Sequence, residues 1–162
     1  MKKLIKKWLG ITDQQIPQPT IKYQLFGGIK YEPKYATDGS AGIDLIARTN
    51  AIIPANGKVW IDSGIGLEIP EGYCGLILGR SGFAYKEDIT AYHIGLIDSD
   101  YRGQIRIALS NHKDKDHKIS IGDKIAQILI IPHLQAQFQQ VETLNHTERG
   151  SNGFGSTGTT IQ

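Results

Sequence analysis

Residues 73–88 read YCGLILGRSGFAYKED. The first half, through Leu78, is an apolar run of strand length, entered from the turn residues Pro70-Glu-Gly72. From Ser81 onward the alternation a strand needs is missing, and Ser81 to Asp88 reads as one short helix. Gly79-Arg-Ser-Gly82 therefore falls where a strand turns into a helix. The Ser81 and Gly82 amides would point outward there beside the Arg80 guanidinium, an arrangement suited to phosphate oxygens.

On either side of this junction the pattern is strand after strand. Residues 43–47, 58–61, 65–69, 92–97, 104–109, 124–131 and 137–141 are short, β-branched or aromatic stretches. Turn signals such as Ala55-Asn-Gly57 and Ile121-Gly-Asp123 punctuate them. A single helix among many short strands predicts an all-β sandwich or jelly roll. No repeat of fixed period is visible. The expected division is a basic appendage and linker over 1–20, a β domain over 21–141 and a Gly-rich tail over 142–162.

A chain of 162 residues with 40% hydrophobic content can bury one full core. The net charge of +2 is unevenly spread, because Lys2, Lys3, Lys6 and Lys7 lie within the first ten residues. The remainder carries fourteen basic against sixteen acidic residues, so the body does not read as a general nucleic-acid binder. The single cysteine, Cys74, excludes an internal disulfide framework and fits a reducing, cytoplasmic setting, host cytoplasm if the protein is viral. No apolar run reaches membrane-spanning length, and the basic start lacks the pattern of a signal peptide.

The opening MKKLIKKWLG sets Leu4, Ile5, Trp8 and Leu9 on one helical face, ahead of a linker marked by Pro17 and Pro19. Residues 1–10 read either as a helix packed on its own domain or as a regulatory or membrane-surface contact. At the other end, Gly153-Phe-Gly-Ser-Thr-Gly158 matches G-x-G-x-x-G, but no helix can follow in the four remaining residues, and the dinucleotide reading fails. Near a Walker A loop too, the tail has Ser156 where the lysine belongs. What it offers is backbone N–H groups, hydroxyls and Arg149, all suited to phosphate. Between His112 and His117 the carboxylates are interleaved with lysines, which reads as a solvated turn and not as a zinc site. Cys74 lies inside an apolar strand and reads as packing.

Gly95-Leu-Ile-Asp-Ser-Asp-Tyr-Arg-Gly103 puts two carboxylates and a tyrosine in a turn between apolar strands, and ordinary turn chemistry would account for Asp98 and Asp100 taken alone. Together with Ala41-Gly-Ile-Asp-Leu45, Gly79-Arg-Ser-Gly82, Gly122-Asp-Lys-Ile-Ala-Gln127 and Arg149-Gly-Ser-Asn-Gly-Phe-Gly-Ser-Thr-Gly158, this segment resembles the five ordered motifs of the trimeric dUTPase family. The resemblance runs from about residue 22 to 158.

It implies a jelly-roll homotrimer whose active sites are shared between chains, with the glycine-rich tail as a mobile flap that closes over nucleotide. The implied reaction is attack of water at the α-phosphorus of dUTP with Mg²⁺ on the triphosphate, giving dUMP and pyrophosphate; it lowers dUTP and supplies dUMP for dTTP synthesis. By this resemblance Asp98 is the general base, as a carboxylate that can orient and deprotonate water. Arg80, Ser81, Gly82 and Gln127 align the phosphates, and Asp44 meets Mg²⁺ through its water shell. Tyr101 packs on the deoxyribose. Main-chain groups of a hairpin including Tyr92, Gly95, Leu96 and Ile97, with Arg106 opposite, bond the uracil edge. Arg149 reaches the γ-phosphate, Phe154 covers the uracil, and Gly155 and Ser156 donate to the triphosphate.

One departure is Tyr92-His93, where relatives often carry Gly or Asn. These side chains point away if recognition is through the main chain, and alter selectivity if it is not. A dCTP deaminase reading needs a glutamate where this chain has Ala108. A nucleotide-gated regulatory binding module is a further reading of the same trimer.

Overall fold

A computed structural model describes residues 18–153. Eleven strands and one helix follow in order: β1 (Lys22–Leu25), β2 (Ile43–Ile46), β3 (Ala51–Ile53), β4 (Lys58–Asp62), β5 (Ile65–Glu68), β6 (Tyr73–Leu78), α1 (Ser81–Glu87), β7 (Ile89–Ala91), β8 (Gly95–Ile97), β9 (Arg106–Asn111), β10 (His117–Ile119) and β11 (Lys124–Pro132). All strand pairs are antiparallel, in the sheets β2-β11-β6-β8, β4-β9-β7, β1-β5 and β10-β3. Among the described residues the fold is the expected all-β, jelly-roll-like one with a single short helix. Among the described residues no helix is long and apolar enough to cross a membrane.

Isoleucine and leucine from most of the strands meet in one core, including Leu45, Ile61, Ile65, Ile107, Leu109, Ile125 and Ile128. β-branched side chains suit this because they lose little rotamer freedom on a pleated surface. β9 is buried from Ile107 through Asn111, since it is the central strand of its sheet. Turns fall where the sequence marks them: Gly72 and Gly122 take φ of 81° and 89°, conformations that a Cβ would strain.

Three short strands, β1, β3 and β10, were not read as separate elements from the sequence. The 92–97 stretch is no single strand. β7 ends at Ala91 on β9, β8 begins at Gly95 on β6, and residues 92–94 carry the chain between sheets. The hairpin expected there is therefore a crossing, because the two halves find different partners. No strand forms over 137–141, and residues 134–152 are exposed throughout. The alternation is present in that stretch, but among the described residues no strand pairs with it.

The 112–117 segment is a structural turn. Asn111 Nδ2 donates to the carbonyls of Ile53, Pro54 and Lys115 at 2.8–3.1 Å, and His112 Nε2 bonds the Thr90 hydroxyl at 2.8 Å.

Candidate active site

Four of the five motifs resolve into two clusters at opposite ends of β6. The first is anionic at its centre. A β-bulge in β11 between Lys124 and Ala126 inserts one extra residue against β2. Lys124 and Gln127 are an odd number of residues apart and would otherwise face opposite sides of the sheet. The bulge lets both reach Asp44: Lys124 Nζ lies 2.8 Å from Oδ2, and Gln127 Nε2 donates to Oδ1 at 3.2 Å.

Arg80, the N-cap of α1, completes this cluster, with its Nε 3.1 Å from Asp44 Oδ1 and its Nη1 donating to the Lys124 carbonyl at 3.0 Å. Burial alone would raise the Asp44 pKa, but the Lys124 hydrogen bond, the Arg80 charge and the Gln127 amide outweigh it and hold the carboxyl below its ordinary range. Tyr31, whose hydroxyl donates to the Asp44 carbonyl, has its own pKa pushed up to about 12 by burial and then by the Asp44 charge.

Helix α1 starts at Ser81, at the junction the sequence marks. The Arg80 carbonyl takes the amides of Phe83 and Ala84. Those of Ser81 and Gly82 precede the first intrahelical bond and carry no side-chain cap.

The second cluster surrounds a cavity of about 340 Å³ lined by Trp60, Ile77, His93, Gly95, Leu96, Ile97, Asp98, Tyr101, Ile105 and Arg106. Asp98 follows directly on β8, and its carbonyl accepts the Tyr101 amide at 3.2 Å in a tight turn. The Tyr101 hydroxyl donates to the Gln104 carbonyl at 3.0 Å. Gly103 leaves room for it: a Cβ there would lie 2.3 Å from the Tyr101 Oη. Opposite, Arg106 pairs with Asp62 across β9 and β4, Nε to Oδ1 at 3.4 Å.

Of the residues proposed from sequence, Gly95, Leu96, Ile97, Asp98, Tyr101 and Arg106 share this cavity. Tyr92 does not line it. Its amide bonds the Ala108 carbonyl, and its ring packs under Lys58, whose Nζ is 3.6 Å from the ring centroid and lowers the phenol pKa by hydrogen bonding and charge. His93, by contrast, faces in. Trp60 escaped the sequence reading because a lone aromatic on an alternating strand gives no sign of what faces it, whereas His93, noted there as a departure, reaches the cavity from the crossing between β7 and β8.

Arg149 stands apart from both clusters, exposed, with its Nε donating to the Asn152 carbonyl at 3.0 Å. Phe154, Gly155 and Ser156 lie outside the described residues.

The described residues hold no group of three side chains able to cage a metal ion. Asp44 has three donors on its two oxygens, which leaves lone-pair capacity for a water molecule but little for direct ligation. That donor set fits Mg²⁺ arriving on a triphosphate with its own waters.

Ile97 pairs with Gly75, so Asp98 leaves the sheet at the Gly75 end of β6, while Arg80 follows the Leu78 end. Five extended residues separate these points, on the order of 15 Å of backbone. Within one chain, Asp98 and Arg80 therefore leave the sheet at opposite ends of β6.

Residues 30–158 match the family model described as dUTPase. A deoxyuridine 5'-triphosphate nucleotidohydrolase of Anaplasma marginale is 42% identical over 130 residues, 78% of this chain and 88% of that protein. One from Arabidopsis thaliana is 37% identical over 149 residues, 92% and 89% respectively. Among solved structures, a mutant dUTPase of Staphylococcus bacteriophage 80alpha with dUpNHpp superposes with a TM-score of 0.80 at 26% identity, covering 86% of this chain and 99% of that one. A mutant dUTPase from phage phi11 of S. aureus, described as coordinating a structural Mg(II) ion, gives 0.72 at 25% identity, covering 76% and 97%.

Proposed function

We infer the chemistry of the site from one premise: this chain belongs to the dUTPase family and hydrolyses dUTP. Water attacks the α-phosphorus and pyrophosphate leaves, yielding dUMP. Asp98 accepts the proton of that water and holds it in line. Tyr101 lies against the deoxyribose, and main-chain groups of residues 95–97 with the Arg106 side chain bond the uracil edge. Selection of uracil over cytosine follows from that hydrogen bonding, since the wrong edge leaves buried groups unpaired.

Arg80, the Ser81 and Gly82 amides and Gln127 receive the phosphates. Arg80 and Lys124 already hold Asp44 as an ion-paired set, so the phosphates meet a preformed cationic surface at small reorganisation cost. Mg²⁺ bound to the triphosphate would neutralise its charge, with Asp44 accepting from the metal's water shell. Ala108, buried and paired with Trp60 across the sheet, has no proton to shuttle, which disfavours deamination.

The separation of Asp98 from Arg80 within one chain carries the assembly. Each active site takes its Asp98 cavity from one subunit and its Arg80 cluster from another, in a homotrimer. Residues 137–141, strand-like in sequence yet unpaired, belong to that assembly; Leu134 and Phe138 are almost fully exposed in the single chain. The tail, with Arg149, Phe154, Gly155 and Ser156, closes over the nucleotide bound between subunits. Cytoplasm is the expected place of action.

Mixed trimers test this directly. Asp98→Asn and Arg80→Gln proteins should each be nearly inactive on dUTP, and refolding them together should restore turnover, because some sites then combine an intact Asp98 with an intact Arg80. No recovery in trimers shown to be mixed would mean that each chain builds its own site.

A further inference from the structure

We propose that Trp60 is a side wall of the nucleotide-base site, adding affinity for the base without selecting which base is bound. This rests on the reading of the Asp98 cavity as the base and sugar site.

Trp60 lines that cavity together with Asp98 and Tyr101, and it is 53% exposed, although it is the largest apolar side chain on β4. Its neighbours hold it in place. Residues Trp60 and Asp62 share one face of β4, and Arg106 lies opposite Asp62 on β9, which brings the guanidinium Cζ to 5.5 Å from the indole. The Asp62 carboxylate anchors that guanidinium. The His93 ring also meets the indole edge-on, centroids 5.8 Å apart at 61°. Directly across the strand pair stands Ala108, too small to cover the ring. The indole is therefore fixed and left uncovered at a cavity of nucleoside size.

A planar base entering the cavity would cover this apolar surface and gain ring contact with a side chain that has little freedom left to lose. Every base has such a face, so the contact tolerates any of them, while discrimination stays with the hydrogen-bonded edge.

The test uses the full-length trimer and dUTP, dCTP, dUMP and tripolyphosphate as probes. Trp60→Ala should raise KM for dUTP roughly tenfold or more and leave kcat within about twofold, the scale of losing one base–aromatic contact. Inhibition by dUMP should weaken by the same factor. Inhibition by tripolyphosphate, which has no base, should not change, nor should the preference for dUTP over dCTP. Trp60→Phe should recover most of the loss. Because the chain has two tryptophans, a Trp8→Phe protein reports on Trp60 alone, and its emission should change saturably with dUMP.

If Tyr101→Ala raises KM for dUTP and Trp60→Ala does not, the base-site reading stands and the wall is refuted. If neither variant changes KM, both are refuted. Loss of the trimer in Trp60→Ala by light scattering, or equal weakening of tripolyphosphate inhibition, would make Trp60 a structural residue and overturn the proposal.

Discussion

Asp98 directly follows a β-strand and Asp44 lies within one, and their surroundings differ. Asp98 borders an open cavity with a tyrosine ring and no cation paired to it among the described residues, so its lone pairs are available to water. Asp98→Asn keeps the shape and removes the proton acceptor; nucleotide binding by titration should persist while turnover falls on the order of 10² to 10⁴-fold. Asp44 is held by Arg80, Lys124 and Gln127 and serves as their anchor. Despite the opposing effect of burial, its folded pKa is depressed. Its contribution to stability is thus present above the unfolded-state value, near about 4, and lost as pH falls through the lower folded value. Asp44→Asn should therefore lower the melting temperature at neutral pH, and the gap from wild type should close on acidification below roughly pH 4. A gap that widened in acid would contradict the ion-pair account.

Elements act here through their irregularities. The β11 bulge turns two residues of one motif toward the same carboxylate, and the break between β7 and β8 hands the chain from one sheet to another beside the cavity. In the turn from Asp98 to Gln104, the Tyr101 hydroxyl occupies the space that a side chain at 103 would need. Gly103→Ala should push the ring out of position while leaving the core intact. Steady-state kinetics should show KM for dUTP raised about tenfold or more, given how steeply catalysis depends on sub-ångström placement. A thermal melt should change little, since Gly103 contributes nothing to the core cluster.

At the scale of the whole molecule, one chain carries the Asp98 cavity, the Arg80 cluster and an exposed C-terminal segment. Deleting residues 149–162 should leave folding and trimerisation unchanged, because the core cluster ends at Ile130. Turnover of dUTP should fall roughly 10²-fold or more, as expected on losing a transition-state charge stabiliser. Arg149→Ala should approach the deletion, and Phe154→Ala should lose less. A truncated trimer with the full-length rate would remove the tail from the mechanism.

The strand-to-helix junction at Gly79 to Gly82, the fold class and the turns at Gly72 and Gly122 were legible because each depends on local rules: alternation, apolar run length and the φ that glycine permits. Motif order also identified Asp98, Tyr101 and Arg106, which the fold brings to one cavity. Local rules failed at residues 92–97 and 137–141, where strand-like sequence has to find a partner and the partner is chosen by the rest of the molecule. They failed again at Trp60, whose place at the cavity comes from cross-strand register, and they left open which way His93 faces, which a chain crossing between sheets decides. The sequence by itself determined which residues could do chemistry and where strands could form. Only tertiary structure decided which of them face one another, because strand pairing joins residues far apart along the chain and a single bulge is enough to reverse the face on which a side chain stands.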